Sequence, residues 1–230
     1  MDPISQGALG AVAGAICADR TDIRKAALVS WAAAMLADAD ILISSASDQL
    51  MNVEYHRHFS HSLIFIPLGA LICAAVFWLL TRKRWQLSFR KLYLFSLAGY
   101  ATAGLLDACT SYGTRLFWPF SDTRTAWSII SIIDPIFTGT LLVAIAIGVF
   151  KKRPAWLRAG LIFAGCYLAF GIFQRERTTR LQVELAAQRG HSATGQATVK
   201  PSIGNLLLWR SVYRQGDRFY VDAIRTGLFR

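Results

Sequence analysis

The distribution of apolar residues constrains this chain more than any other feature. Five mostly apolar blocks cover residues 25–42, 62–80, 91–106, 129–150 and 155–173. Each approaches the roughly 17–25 residues needed to cross a hydrocarbon core of about 30 Å. Hydrophobic residues make up 54% of the chain and charged residues 17%, more apolar and less charged than a typical soluble domain. The blocks read as membrane crossings. Residues 2–18 are apolar and small but lack the basic start of a signal peptide, so they read as a sixth, short crossing or a re-entrant helix. The expected fold is therefore an all-α polytopic transmembrane bundle over residues 1–173, with about five crossings. An extramembrane segment, residues 174–230, follows it. There the helical pattern of block five continues, residues 191–202 are turn-rich, and residues 206–213 and 217–225 alternate weakly as two short strands.

The formal charge of +11 does not point to nucleic acid, because the cations collect in alternate gaps between blocks. Residues 82–91 and 151–158 are strongly basic, and Arg20, Arg24 and Lys25 precede block one. The intervening gaps hold only Arg57, Arg115 and Arg124. The positive-inside rule puts the basic gaps in the cytoplasm. The expected path is a multi-pass one with the C-terminus outside, where the basic excess of residues 174–230 suits anionic lipid.

That path gathers distant polar residues at one end. Asp38 and Asp40 close block one, His56, His58 and His61 precede block two, Asp107 ends block three and Asp134 opens block four, with Asp2 joining if the first segment crosses. Ionisable groups at membrane depth are costly unless paired or given a task. Convergent Asp and His form the donor set of a hard or borderline metal; the competing reading is a polar network tying helix ends together. Asp38 and Asp40 are two apart, so on a continuous helix they diverge, and they meet only where the helix ends. Ser60 suits the N-cap of the block-two helix, with His61 in its first turn. Spacing alone does not choose between His56 and His58. Arg115 and Arg124 are guanidinium groups suited to a phosphate or carboxylate, a lipid headgroup or a helix-end ion pair. His191 reads as solvent-exposed. Cys17, Cys73, Cys109 and Cys166 form no CxxC pair and read as small buried hydrophobes.

Several phrases in order, MDPISQGALGA, LADADIL, HRHFSHSL, GLLDACTSYGTRLFWPFSDTR, IIDPIFT and NLLLWRSVY, resemble the membrane-bound metal-dependent hydrolases that include YdjM-like and YbcI-like inner membrane proteins. The resemblance implies a bacterial inner membrane protein, distantly similar to zinc-dependent phospholipase C-like proteins, that hydrolyses a lipid or lipid-linked ester or phosphoester at the outer face. It implies a divalent metal, zinc or manganese, held by Asp38, His56, His61 and Asp107, and it favours His56 and His61 over His58. Asp40 or Asp134 would orient a ligand or act as general base, and Arg115 or Arg124 would stabilise developing phosphoryl charge. Two departures bear on this. Gln6 and Ala103 stand where the family pattern carries histidines. The alternative is therefore a degenerate member that binds no metal and serves as a lipid- or protein-binding scaffold. A transporter is disfavoured, because no polar path leads to the cytoplasmic end.

Overall fold

A computed structural model describes residues 1–45, 48, 51–192 and 196–228. Seven α-helices precede a three-stranded sheet: α1 (Pro3–Ile16), α2 (Ile23–Leu36), α3 (Met51–Tyr55), α4 (Ile66–Thr81), α5 (Phe89–Ala108), α6 (Pro135–Ile145), α7 (Pro154–Gln188), β1 (Ala197–Pro201), β2 (Leu208–Gln215) and β3 (Arg218–Arg225). The fold is not the all-α bundle of about five crossings that the apolar blocks suggest. Among the described residues, two segments are long and apolar enough to cross a membrane, Leu63–Thr81 and Pro154–Gln188.

Length and burial explain the difference. Helices α1 and α2 have 14 residues each, which at 1.5 Å per residue is about 21 Å, short of a hydrocarbon core of about 30 Å. Block one stops being α-helical at Leu36 and tightens into a 3-10 segment over Ala37–Leu42. Helix α5 has 20 residues but carries Arg90, Lys91 and the buried Ser96 and Asp107. Helix α1 is apolar because protein surrounds it: Ser5 through Val12, Gly14 and Ala15 are all buried. Its small side chains let α2, α5, α6 and α7 pack around it. The α4 span is the opposite case, with Leu68, Leu71, Ile72, Val76, Leu79 and Leu80 exposed and only Gly69, Ala70, Cys73 and Ala74 turned inward. A helix that packs on small residues and exposes large apolar ones is built for lipid.

The loops meet at two ends. At one, Lys91 pairs with Asp19 and Asp22 at 3.1 and 2.8 Å, and Lys25 donates to the carbonyl of Trp85 at 2.9 Å. At the other, Asp2 N–H donates to Ile132 O at 3.0 Å and Leu63 N–H to Leu116 O at 3.0 Å. This second end holds the 3-10 segment and the histidines.

Helix α7 is continuous through Phe173 and Gln174, so one rod carries both the apolar stretch and the sheet. Past that point it buries Gln174, Thr178, Gln182 and Ala186, a four-residue spacing that forms one stripe. The antiparallel sheet, in order β1-β2-β3, packs on that stripe. Gln182 Nε2 donates to Thr198 O, Ser211 Oγ and Val212 O at 3.2, 2.9 and 3.2 Å. Strand β2 turns Trp209, Ser211 and Tyr213 inward, and Gly216, with φ 58°, supplies the tight turn into β3. The turn-rich reading of residues 191–202 missed β1. His191 is not free in solvent: its Nδ1 lies 3.1 Å from Tyr213 Oη and its ring 4.4 Å from that of Tyr220.

Trp209 is fully buried and is the largest side chain under the sheet, beside Val199, Tyr213 and Ile224. Trp209→Ala is expected to destabilise the sheet by about 3–5 kcal/mol. Limited proteolysis should then cut within residues 189–225 much faster than in the wild type while the helical region stays protected.

Candidate functional site

The site grows from the 3-10 segment that ends block one. With about three residues per turn, side chains two apart diverge by roughly 120°, so Asp38 and Asp40 reach different sides of one imidazole. Asp40 is the buried member. Its Oδ1 lies 2.9 Å from His56 Nδ1, and its Oδ2 accepts from Arg57 N–H at 2.8 Å and Ser60 Oγ at 2.6 Å. His61 Nδ1 is 3.3 Å from the same Oδ2. Arg57 reaches this arrangement with φ 57°, a left-handed conformation costing on the order of 1–3 kcal/mol; the Asp40 bond to its N–H helps offset that. Ser60 is not a helix cap, because the block-two helix begins at Ile66 after two 3-10 turns, Phe59–His61 and Leu63–Phe65. Its hydroxyl serves Asp40 instead.

The other ring nitrogen of His61 faces two more carboxylates. Nε2 is 3.2 Å from Asp38 Oδ1 and 3.0 Å from Asp107 Oδ2. One donor atom from each of Asp38, His61 and Asp107 lies within 4.8 Å of the others. Asp107 Oδ2 is buried and makes no hydrogen bond. Asp107 Oδ1 meets Arg57 Nη2 at 3.2 Å and the amino group of Met1. Burial by itself would lower the His61 pKa, but the carboxylates of Asp107, Asp38 and Asp40 outweigh it and raise it well above the usual histidine range. Burial would raise the Asp40 pKa, yet the hydrogen bonds from His56, His61 and Ser60 hold it well below the usual carboxylate range. Without a cation, this geometry makes His61 an imidazolium among carboxylates.

The remaining candidates sit elsewhere. His56 is held through Nδ1 by Asp40, its ring 6.4 Å from that of His61, and it is not among the three clustered donors. His58 packs against Tyr55 and Trp118, with ring centroids 5.4 and 5.6 Å away. Burial and the neighbouring Arg115 guanidinium lower its pKa. Arg115 meets His58 Nε2 and, at 3.4 Å, Asp122. Arg124 donates to the carbonyls of His56, Gly113 and Glu54 at 3.2–3.4 Å, strapping that loop together. Asp134 caps α6, accepting from Ile136 and Phe137 N–H at 3.1 Å, and takes the Tyr167 hydroxyl at 2.8 Å. Asp2 caps α1. Gln6 is buried, donating to Ala34 O at 2.9 Å while its Oε1 has no partner. Ala103 packs among Ala33, Ala37 and Tyr100. The sequence reading missed Arg57 as a site residue; its only signal was being the one cation in its loop.

The YdjM inner membrane protein family matches residues 1–178, which include every residue of this cluster. The chain belongs to that family. It is also 33% identical over 104 residues to the inner membrane protein YbcI of Escherichia coli (strain K12), a match covering 43% of this chain and 57% of that relative. The chain thus spans little more than half the length of YbcI. No solved structure matches it. The family range ends within α7, so the sheet lies beyond it.

One close approach holds the cluster to α5. A Cβ placed on Gly104 would lie 2.1 Å from the carbonyl oxygen of His61. Gly104→Ala must push the His61 backbone off the helix, and a loss of about 1–3 kcal/mol is expected. Gly139→Ala, with nothing within 4 Å of the new Cβ, should leave stability unchanged. Thermal unfolding of the two variants in one detergent makes the comparison.

Proposed function

We propose that Asp38, His61 and Asp107 hold a divalent cation and that the protein is a metal-dependent hydrolase working at the membrane surface. The observation that carries this reading is the surroundings of His61 Nε2: two carboxylate oxygens at 3.2 and 3.0 Å, one of them buried without a hydrogen bond. Two oxygens and one imidazole nitrogen suit zinc or manganese, and three protein ligands leave a position open. Asp40 behind Nδ1 is the carboxylate that commonly fixes the tautomer of a ligating histidine. A cation bound there would supply Lewis acidity and a water acidified towards neutrality. The chain's own residues supply the rest. Asp40 orients His56 and His61, and Arg57 offers a guanidinium beside the cluster for an anionic oxygen. A cavity of about 210 Å³ beside Asp40, lined by none of the three proposed ligands, supports a lipid or lipid-linked substrate adjacent to the cluster. Leu36, Ile43, Phe59, Phe65 and Ile72 line it, Asp40 and Ser60 reach it, and part of its wall belongs to the α4 span. The basic residues 82–84 and 151–153 mark the opposite ends of the two spans. By the positive-inside rule, they support an outward-facing site in the bacterial inner membrane.

A second reading, a non-catalytic scaffold, is favoured by the charges. The carboxylates of Asp38, Asp40 and Asp107 are faced by the Arg57 guanidinium, the Met1 amino group and the His61 ring, so the chain's own groups offset part of their charge without a metal. Gln6 and Ala103 add no imidazole.

Metal analysis of the full-length protein, purified gently in detergent, separates the two. Hydrolase function requires close to one zinc or manganese per chain, at least tenfold less in His61→Ala and in Asp107→Asn, and little loss in Arg115→Ala. A wild-type protein that stays metal-free after incubation with zinc and with manganese, while remaining folded, would sink the metal reading in favour of the scaffold.

A further inference from the structure

A second feature at the same end of the molecule joins the sheet, outside the matched family range, to the loop before α6, inside it. Strands β1 and β2 pair with Lys200 directly opposite Arg210. Both side chains are exposed. Like charges directly opposite on adjacent strands destabilise a sheet. Among the described residues, neither meets a carboxylate. The ion pairs of this region are Arg175–Glu176, Arg189–Asp222 and Arg214–Asp217. Arg225 lies diagonally beyond Arg210, opposite Leu208 in the register of β2 with β3.

Lys200 and Arg210 line one wall of a groove of about 740 Å³. Its other walls carry Ile132, Ile133, Ile203 and Leu208, with Ser131, Ser202 and Asn205 between them. The apolar members are 41%, 51%, 77% and 40% exposed, in the same order. Gly204 N–H donates to Ile133 O at 3.0 Å, so the two apolar loops are joined. Four exposed aliphatic side chains in one groove beside two uncompensated cations form an amphipathic surface.

The height of the groove identifies what such a surface meets. Gly171 of α7 packs against the segment before Ile132 so closely that a Cβ there would lie 2.1 Å from Ile129 O. The apolar run of α7 ends two residues later at Phe173, and Gln174, Arg175, Glu176 and Arg177 follow. The groove therefore stands where the α7 span passes from hydrocarbon to water, the depth of phospholipid phosphates.

We propose that this groove binds the headgroup of an anionic membrane phospholipid. Lys200 and Arg210 take the phosphodiester, and Ile132, Ile133, Ile203 and Leu208 lie against the first part of the acyl chains. The proposal is independent of the metal reading, since none of these residues belongs to the Asp38, His61 and Asp107 cluster.

Native mass spectrometry of the full-length protein in detergent, titrated separately with phosphatidylglycerol, phosphatidylcholine and inorganic phosphate, tests it. Phosphatidylglycerol should bind at least about tenfold more tightly than phosphatidylcholine. The double variant Lys200→Ala, Arg210→Ala should lose on the order of thirty-fold in that affinity. The charge-preserving pair Lys200→Arg, Arg210→Lys should stay within about threefold of wild type. Arg214→Ala with Arg218→Ala, farther along the hairpin, should change nothing, and Ile203→Glu should weaken lipid binding. If the alanine pair lowers the melting temperature, Arg210→Gln is read in its place. Equal binding of the two lipids overturns the proposal, as does an alanine pair that binds like wild type. So does an equal loss in the distal pair, which would make the effect one of net charge alone. Displacement of phosphatidylglycerol by equimolar inorganic phosphate would make the groove a soluble-anion site and also overturn it.

Discussion

The Asp40 carboxylate is the interaction on which the site end of this protein depends. Buried carboxylates are expensive unless their lone pairs are occupied, and Asp40 is supplied from one short segment. His56, the N–H of Arg57, Ser60 and His61 all approach it within 3.3 Å. In meeting that demand, residues 56–61 wrap around the 3-10 turn. Arg57 adopts its left-handed backbone, and the His61 ring is held with Nε2 towards Asp38 and Asp107. The arrangement extends into the helices through Tyr100, whose hydroxyl donates to Ser60 O at 2.8 Å, and through Gly104 beneath His61.

Much of this end was legible in the sequence, though by an indirect route. Asp38, Asp40, His61 and Asp107 do converge, as their positions at the ends of apolar blocks suggested, but the five-crossing path used to bring them together is not the fold. Apolar periodicity cannot tell a helix surrounded by protein from one surrounded by lipid. Residues 3–16 are of the first kind. Their glycines and alanines were the available clue, since small residues on every side mark a helix that neighbours approach closely. The strands over 206–213 and 217–225 were visible from alternation. Strand β1 was not, because residues 191–202 are rich in Gly, Ser and Thr and it exists only by pairing with β2. Arg57 was hidden for a related reason: its guanidinium reaches Asp107 only because of a backbone conformation that sequence does not announce. His56 and His58 could not be ranked from spacing, because the loop between them is shaped by contacts with Asp40 and Arg115 rather than by a repeat.

The two positions at which the resemblance leads one to expect histidines take on a physical character in the structure. Gln6 and Ala103 both lie in tightly packed helix interiors, one hydrogen-bonded to a carbonyl of α2 and the other among small apolar neighbours. A histidine at Ala103 would need room that its packed neighbours do not leave. The Arg57 guanidinium and the Met1 amino group meet Asp107 Oδ1, leaving Oδ2, which faces His61, as the oxygen without a hydrogen bond.

Helix α7 has 35 residues, a rod of about 52 Å at 1.5 Å per residue, while a hydrocarbon core takes up about 30 Å. The surplus carries the sheet, fastened along it by Gln182. No hinge separates the part that feels lipid from the part that carries the strands. Any tilt of α7 must swing the sheet through the same angle. The strands and the apolar stretch of α7 thereby share one lever, and whatever turns the first half of the helix turns the sheet with it.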